Sequence, residues 1–192
     1  MIQQLFYTPF YEDTIELDSE EHKTIRNFIL DEESKSDWRV PEEWLCEMNS
    51  SFVPNKKYHH HQIFKSLVKK IHTHVYKFID NDDFVSEHLE MSELWLNTYR
   101  KGHSQERHDH GSCFLSGNYF FDIPKNTGDM IVYHPLSNKV IDGWAPYAGK
   151  VKSETGKLIL FPSYLYHAVE RNHTDNVRIT ISFNYQRINR YE

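Results

Sequence analysis

Hydrophobic residues recur with a helical period up to about residue 90. A first helix is predicted to begin at Ser19, which can cap it, with an apolar face from Ile25 onwards. A second amphipathic helix is predicted from about His60 to Asn81. Its apolar positions are Ile63, Phe64, Leu67, Val68, Ile71, Val75, Phe78 and Ile79. This stripe indicates packing against a sheet, and binding to a membrane surface is the weaker interpretation.

Short β-rich runs alternate with turn residues over the rest of the chain. The predicted strands are residues 94–99, 113–121, 129–133, 157–161 and 177–184. Residues 34–57 are expected to be irregular or weakly extended. The dipeptide Ser116-Gly117 indicates a bulge or a close approach of the backbone. The aromatic loop 139–153, with Trp144 and Tyr147, is a candidate for the rim of a substrate site.

This order of elements predicts a mainly β fold. Helices followed by many short strands indicate a double-stranded β-helix (jelly roll) with the N-terminal helices packed against it. We expect one domain over residues 1–192, in which residues 1–90 are helical and irregular and about residues 91–190 form the jelly-roll core.

Composition narrows the classes of function. The net charge of −6 argues against a non-specific nucleic-acid binder, which would usually be basic. Neither an apolar run of about 20 residues nor a signal-peptide pattern occurs, so we expect a cytoplasmic protein without a membrane partner. The spacing of Cys46 and Cys113 favours two free thiols over a disulfide bridge.

Histidine is unusually frequent, with 13 residues. Part of this count is local, because residues 58–61 and 72–74 are histidine-rich within a polar, basic stretch. Such runs can bind metal. A solvated start of the second helix explains them better.

The stretch His108-Asp109-His110, with His167, carries the candidate chemistry. Side chains at i and i+2 of a strand share a face, so His108 and His110 can reach one metal ion while Asp109 points away. His167 follows the fourth predicted strand, and in a jelly roll such a position can lie beside the first pair. Three facial ligands leave positions for a co-substrate and dioxygen, as iron oxygenases require. The alternative is that these histidines lie on a polar surface loop.

Arg178 lies in the strand predicted after His167. Its planar guanidinium suits a bidentate contact with a carboxylate. When a metal ion chelates the 2-oxo acid end of 2-oxoglutarate, the far carboxylate needs a cation, and Arg178 can supply it. Thr180 is on the same face and can add a hydroxyl donor. A structural salt bridge is the alternative role for Arg178.

Asn97, Tyr99 and Tyr119 are further candidates for hydrogen bonds to the co-substrate. Packing in the core or at the barrel rim explains these three residues equally well.

In combination these pieces resemble a known family. The matching residues are 97–102, 108–110, 115–120, 156–163, 167–169 and 178–184. From Trp95 to Arg187 the chain resembles the 2-oxoglutarate/Fe(II) oxygenases of marine bacteria and cyanophages, which are distant relatives of the prolyl hydroxylases. The N-terminal half matches only loosely.

The resemblance implies a jelly-roll fold, Fe(II), 2-oxoglutarate and hydroxylation of an unactivated C–H bond. It assigns the iron to His108, His110 and His167, and the co-substrate to Arg178. This chain departs from the family pattern at one point: the superfamily at large has His-x-Asp where this chain has His-x-His. The departure changes the charge of the ligand set. Three histidines make a neutral ligand set. Ligation by Asp109 on a kinked strand is the alternative.

We therefore predict a non-haem iron(II) dioxygenase that uses 2-oxoglutarate and O2. The sequence does not identify its substrate. A proline of a peptide or protein and a small molecule are the two candidate classes. The first alternative is a cupin-like protein that binds a metal or ligand without oxygenase activity. A phage structural protein with an inert jelly roll is a weaker one.

Overall fold

The structure, a computed structural model, describes residues 7–42, 44–52, 57–80, 88–136 and 147–188. Within these ranges it contains helices α1 (Ser19–Lys35) and α2 (Lys65–Asp80), and two short 3₁₀ turns, Tyr58–His60 and Gln62–Phe64, precede α2. The strands are β1 (Tyr11–Thr14), β2 (Asn49–Ser50), β3 (Leu89–Tyr99), β4 (Gln105–His108), β5 (Leu115–Asp122), β6 (Met130–Tyr133), β7 (Ala148–Val151), β8 (Lys157–Pro162), β9 (His167–Val169) and β10 (Arg178–Arg187).

The strands form two sheets in which all the paired strands are antiparallel. The larger sheet has the order β1-β8-β5-β10-β3-β2, and the smaller has the order β4-β9-β6-β7. The prediction of a mainly β fold with two helices is confirmed. Among the helices of the described ranges, none has the length and apolarity that a membrane crossing requires.

All five predicted strands are present, but five short ones were not predicted. Strands β1, β2, β4, β7 and β9 have only two to four residues, and none of them contains a run of β-branched or aromatic residues as β6 does. Strand β7 lies in the segment predicted as an aromatic loop. Trp144 of that loop and Asn81, the predicted end of the second helix, lie outside the described residues.

The first helix is capped by Asp18 and not, as predicted, by Ser19. The Asp18 Oδ1 atom accepts a hydrogen bond from the backbone nitrogen of Glu21 at 2.8 Å, as an N-cap side chain does. Ser19 is the first residue inside the helix, one position too late to serve as the cap.

One buried cluster joins the helices to one face of the larger sheet. Helix α1 contributes Ile25 and Ile29, and the sheet contributes Leu96, Ile181 and Phe183, all at most 1% exposed. The α2 residues of the cluster are Leu67, Ile71, Val75, Phe78 and Ile79. Each such side chain contributes roughly 1.5–3 kcal/mol when fully buried.

The opposite face of the larger sheet contacts the smaller sheet. Phe120, Ile159 and Phe161 of the larger sheet form a second cluster with Met130 and Val151 of the smaller one. The interior between the two sheets is therefore lined in part by apolar side chains.

Strand β10 carries two different rows of side chains. Ile179, Ile181, Phe183 and Tyr185 belong to the cluster on the helix side. Side chains alternate between the two faces of a strand. The other row, Arg178, Thr180, Ser182 and Asn184, therefore faces the interior, and all four are buried. Buried polar residues are unusual among the apolar side chains that line the interior, so this row marks the interior as a candidate site.

Candidate functional site

Three histidines meet at one end of the smaller sheet. His108 is the last residue of β4, His167 is the first of β9, and the two are cross-strand partners. His110 lies two residues past β4, where its backbone nitrogen donates to the carbonyl oxygen of Ser163 at 2.9 Å. One ring nitrogen from each histidine lies within 4.8 Å of those of the other two. This spacing allows all three to bind a single metal ion.

Hydrogen bonds at Nδ1 determine which nitrogen of each ring is free. The Nδ1 atom of His108 lies 2.9 Å from the carbonyl oxygen of Glu106, and that of His167 lies 2.9 Å from the carbonyl oxygen of Leu165. A carbonyl oxygen only accepts, so both Nδ1 atoms carry the proton. The Nε2 atoms of these two rings therefore keep a lone pair for a metal.

His110 obtains the same orientation from side chains. Its Nδ1 atom lies 2.8 Å from Asn184 Oδ1 and 2.8 Å from Ser116 Oγ. Ser116 also contacts Ser163 Oγ at 2.7 Å. The third histidine is thus held by strands of the larger sheet.

Burial keeps the three rings neutral. It is the largest cause that lowers the pKa of His108, His110 and His167, and the pKa of His110 falls to about 4. The two neighbouring rings disfavour a positive charge on His167 still further. Neutral imidazoles are the form that binds a metal, so the rings are ready ligands near neutral pH.

Asp109 lies apart from this cluster. Its Oδ1 atom accepts a hydrogen bond from the backbone nitrogen of Gly111 at 2.8 Å. A hydrogen bond to Asp109 and its negative charge raise the pKa of Tyr166. Among the described residues, the group that could hold a metal contains His110 and not Asp109. This arrangement favours the three-histidine set over the alternative with Asp109.

Aromatic rings surround the histidines. Trp95 lies 5.4 Å from His110, and Phe161 lies 4.9 Å from His167, measured between ring centroids. Trp44 lies 6.0 Å from His108. Such neighbours reduce the access of water and strengthen electrostatic interactions at the site.

Arg178 is fully buried on the interior face of β10. Its Nη1 atom donates to the carbonyl oxygen of Gly128 at 2.9 Å. Its Nε and Nη2 atoms have no hydrogen-bond partner within the described ranges. The carboxylates of Asp129 and Glu170 attract Arg178 electrostatically, but they bond to Ser153 and to Lys150. No salt bridge to Arg178 is present in the described part of the chain, contrary to the structural alternative.

The surroundings of Arg178 add a second unused donor. Thr180 is 1% exposed, and its Oγ1 atom forms no hydrogen bond of good geometry with the residues that the structure describes. Its contact with the Tyr99 hydroxyl only opposes the rise in the pKa of Tyr99 that burial causes. The guanidinium carbon of Arg178 lies 5.4 Å from the ring centroid of Tyr99 and 5.6 Å from that of Phe120. The Tyr99 hydroxyl donates to Gln105 Oε1 at 3.0 Å. Buried donors without partners indicate that a polar ligand belongs here.

Asn97 faces the same interior, but its side chain is already bonded. Its Oδ1 atom accepts from Ser50 Oγ at 2.7 Å, and its Nδ2 atom donates to Ser182 Oγ at 3.1 Å. Ser182 in turn donates to Asn118 Oδ1 at 3.3 Å. Both polar atoms of the Asn97 side chain are therefore already used within this chain of hydrogen bonds.

Tyr119 lies on the opposite face of the larger sheet. It packs in the cluster with the helices, and its hydroxyl donates to the carbonyl oxygen of Ile15 at 3.0 Å. Its strand partner Ile181 points to the same side. The sheet therefore separates Tyr119 from Arg178 and from the interior face of β10.

Three residues of the site were not predicted from the sequence: Ser116, Ser163 and Asn184. The signal for Asn184 was present, because every second residue from Arg178 onwards is polar. Tyr99 shares the interior face with Asn97, two residues before it. The role of Ser163 depends on a contact between distant segments, which no local pattern reveals.

The donor set fits a transition metal. Three neutral imidazole nitrogens suit Fe, Ni, Cu or Zn, whereas Mg and Ca prefer oxygen ligands. Each ring also has the hydrogen bond at its other nitrogen that metal-bound histidines usually have.

Comparison with known proteins extends these observations. Residues 93–184 match the model of a family described as "Putative 2OG-Fe(II) oxygenase". This segment contains all three histidines, Arg178 and Thr180. The predicted cofactors, Fe(II) and 2-oxoglutarate, are the two that the description of this family names. No curated protein matches the chain.

Solved structures with the same fold include several oxygenases. A prolyl-4-hydroxylase from Pseudomonas putida is 13% identical, with a TM-score of 0.67 over 94% of this chain and 93% of that one. HygX from Streptomyces hygroscopicus, with nickel and 2-oxoglutarate bound, is 14% identical, with a TM-score of 0.65 over 93% and 83%. A prolyl hydroxylase from Trichoplax adhaerens, in complex with a hypoxia inducible factor peptide, is 13% identical, with a TM-score of 0.66 over 92% and 83%.

Proposed function

We propose that this protein is a non-haem iron(II) oxygenase that uses 2-oxoglutarate and O2 to hydroxylate a substrate. One observation carries the proposal: three neutral histidines converge, and a buried arginine with unused donors lies on the interior strand whose Asn184 holds one of them. The proposal includes a jelly-roll core, a double-stranded β-helix, formed by the two sheets. The matched family description and the fold shared with oxygenases support it.

His108, His110 and His167 would hold Fe(II) through their Nε2 atoms. The bound iron would supply the activation of dioxygen. The chain itself orients the three rings through their Nδ1 hydrogen bonds. It also keeps them neutral through burial. Three ligands on one side leave room for a chelating co-substrate.

Arg178 and Thr180 would bind the far carboxylate of 2-oxoglutarate. The unused Nε and Nη2 atoms of Arg178 are adjacent donors in a planar group, which match the two oxygens of a carboxylate. Thr180 Oγ1 would add a third donor. A carboxylate here would also compensate the positive charge of Arg178, which is costly to bury alone.

An aromatic wall beside the histidines is the candidate for substrate contact. Trp44 stacks on Phe52 at 5.8 Å, and Phe52 packs against Trp95 at 5.4 Å. Such a wall suits an apolar ring or aliphatic group near the metal. A prolyl peptide and a small molecule both offer such groups. Similar structures include complexes with a hypoxia inducible factor peptide and with hygromycin B.

The test is the visible absorption of metal-free protein after addition of Fe(II) and 2-oxoglutarate without oxygen. We expect a charge-transfer band for the wild type and its loss or weakening in Arg178→Ala. Arg39→Ala removes an arginine from the exposed surface, where its partner is Asp37, and should leave the band unchanged.

A second measurement separates oxygenase chemistry from simple metal binding. With O2 and a pool of candidate substrates, the wild type should convert 2-oxoglutarate to succinate. Bound iron without the band and without succinate would overturn the proposal and favour the cupin-like metal-binding protein.

A further inference from the structure

His110 differs from the other two histidines in what holds its ring. His108 and His167 each donate from Nδ1 to a backbone carbonyl two residues earlier in the chain. His110 donates instead to a side chain on another strand, Asn184. A side chain can be exchanged by mutation, whereas a backbone carbonyl cannot, so His110 is the ring whose orientation can be tested.

The amide of Asn184 has only one orientation that satisfies both of its neighbours. Its Nδ2 atom lies 2.8 Å from Oε2 of Glu93, and an ionised carboxylate accepts but does not donate hydrogen bonds. The amide nitrogen must therefore face Glu93. Its oxygen then faces His110, where it can only accept.

The contact with Ser116 does not alter this conclusion. A hydroxyl group can donate or accept, so Ser116 is compatible with either protonation pattern of His110. The Ser116 hydroxyl can donate to Asn184 Oδ1 at 2.7 Å and still accept from His110. In this chain of contacts the ionised carboxylate of Glu93 can only accept hydrogen bonds, so it fixes the direction of the others.

We propose that Glu93 and Asn184 are positioning residues that place the proton of His110 on Nδ1 and keep its Nε2 free for the metal. This inference rests on the proposed metal site. It adds that the carboxylate of Glu93 acts on the third ligand, His110, through the side-chain amide of Asn184. The ligand set itself is neutral, and Glu93 supplies a negative charge at its edge. Hydrogen-bonded partners of this kind typically change metal affinity by 10–100-fold.

The first test determines the protonated nitrogen of His110 without any metal. The probe is long-range ¹H–¹⁵N NMR of the imidazoles in protein labelled with ¹⁵N-histidine, with the His110 signals assigned through His110→Gln. We expect Nδ1–H in the wild type. In Glu93→Gln the new amide can donate, so Asn184 is free to rotate and the Nε2–H form of His110 should appear.

A double variant supplies the rescue. When Glu93→Gln is combined with Asn184→Asp, the carboxylate moves one residue inwards. It then accepts from His110 Nδ1 and from the amide introduced at position 93, so the Nδ1–H form should return. Glu90→Gln is the matched control, because it removes a carboxylate from an exposed position of the same strand.

Cobalt(II) titration, followed by visible absorption, measures the consequence for metal binding. We expect Glu93→Gln to bind cobalt about 10-fold more weakly than the wild type. The double variant should return to within about threefold of the wild type, and Glu90→Gln should not differ from it. If Glu93 had only a structural role, the double variant, with two altered side chains, should bind cobalt no better than Glu93→Gln. Recovery of the affinity would therefore support the positioning role.

The outcomes separate the two proposals. An Nε2–H tautomer in the wild type, or equal tautomer and affinity in Glu93→Gln, would overturn the role of Glu93 and Asn184. If the wild type shows Nδ1–H and its tautomer responds to the variants as expected, yet it binds neither cobalt nor iron, the role of Glu93 and Asn184 in placing the proton is supported. In that case the proposed function is what fails.

Discussion

A single hydrogen bond of 2.9 Å joins the guanidinium of Arg178 to the carbonyl oxygen of Gly128. It leaves Nε and Nη2 of Arg178 without partners in the described part of the chain. The ligand-free protein therefore contains a buried cation with only part of its hydrogen-bonding capacity used. Such a group costs stability, which a bound carboxylate would restore.

Replacement of Arg178 should therefore separate stability from co-substrate binding. In Arg178→Met the side chain stays long and flexible but loses its charge. We expect ligand-free Arg178→Met to be more stable than the wild type by about 1 kcal/mol, because a buried charge is replaced by an apolar group. Urea unfolding at pH 7.5 measures the difference.

The same experiment with saturating 2-oxoglutarate and Fe(II) completes the comparison. The ligands should raise the free energy of unfolding of the wild type beyond the effect of Fe(II) alone, and this gain should be absent in Arg178→Met. A large loss of stability in ligand-free Arg178→Met would show that Arg178 serves the fold itself.

Separate substitutions of His110 and Asp109 should distinguish the two candidate ligand sets. In His110→Ala we expect metal affinity to fall by more than about 100-fold, since even partners of ligands account for 10–100-fold. Asp109→Asn should stay within about threefold of the wild type, because the Asp109 carboxylate bonds to Gly111 and lies outside the histidine cluster. Cobalt titration provides both affinities. The reverse pattern would assign the ligand role to Asp109.

Stability should decrease in mild acid, in part because of His72. Burial lowers the pKa of His72, whose Nδ1 atom lies 3.0 Å from the hydroxyl of Tyr185. The unfolded chain binds a proton at this histidine more readily than the folded one, so its contribution is complete above about pH 6.5 and decreases below it. For each such histidine the free energy of unfolding changes by at most about 1.4 kcal/mol per pH unit.

His72→Gln should reduce this pH dependence. Glutamine stays neutral and can still form a hydrogen bond with Tyr185. We expect urea unfolding at pH 7.5 and pH 5.5, with a chelator present, to show a smaller difference for His72→Gln than for the wild type. The exposed His173 provides a control, since His173→Gln should leave the difference unchanged.

Much of the site could be predicted because it depends on short-range rules. Strand parity predicted that His108 and His110 share a side and that Arg178 and Thr180 share a face. His110 lies beyond the end of β4, yet its ring still meets that of His108. Arg178 and Thr180 both lie on the interior face of β10. The mainly β class followed from turn residues and β-rich runs. These inferences require only residues close in sequence.

The remaining features depend on contacts between distant segments. Strand β5 is buried on both faces from Leu115 to Phe121, so no alternation of polar and apolar residues shows which face Tyr119 occupies. Asn184 reaches His110 only because β10 lies beside β5 and the histidine loop folds over both. That register is a property of the assembled sheet.

Gly117 is the glycine of β5, and its neighbours leave no space for a Cβ atom. A Cβ atom there would collide with the ring of Phe183 and lie 2.8 Å from the carbonyl oxygen of Ile159. We expect Gly117→Ala to lower the free energy of unfolding by about 2 kcal/mol or more, because both neighbours are buried in the core.

Gly149 is the matched control for this substitution. It lies in strand β7, and no described atom comes within 4 Å of the Cβ position. Thermal or urea unfolding should show Gly149→Ala within about 0.5 kcal/mol of the wild type. Equal effects of the two substitutions would contradict the close contact between Gly117 and Phe183.

Strand β10 is the last of the described strands in chain order, yet it lies inside the larger sheet, between β5 and β3. During synthesis on the ribosome both neighbours are complete before their shared partner emerges. Until then β3 and β5 have unpaired edges, which can associate with other chains. The larger sheet can therefore close, and Arg178 and Asn184 can reach their positions, only after β10 has emerged. Nascent chains that end before Arg178 should be the ones that aggregate or require a chaperone.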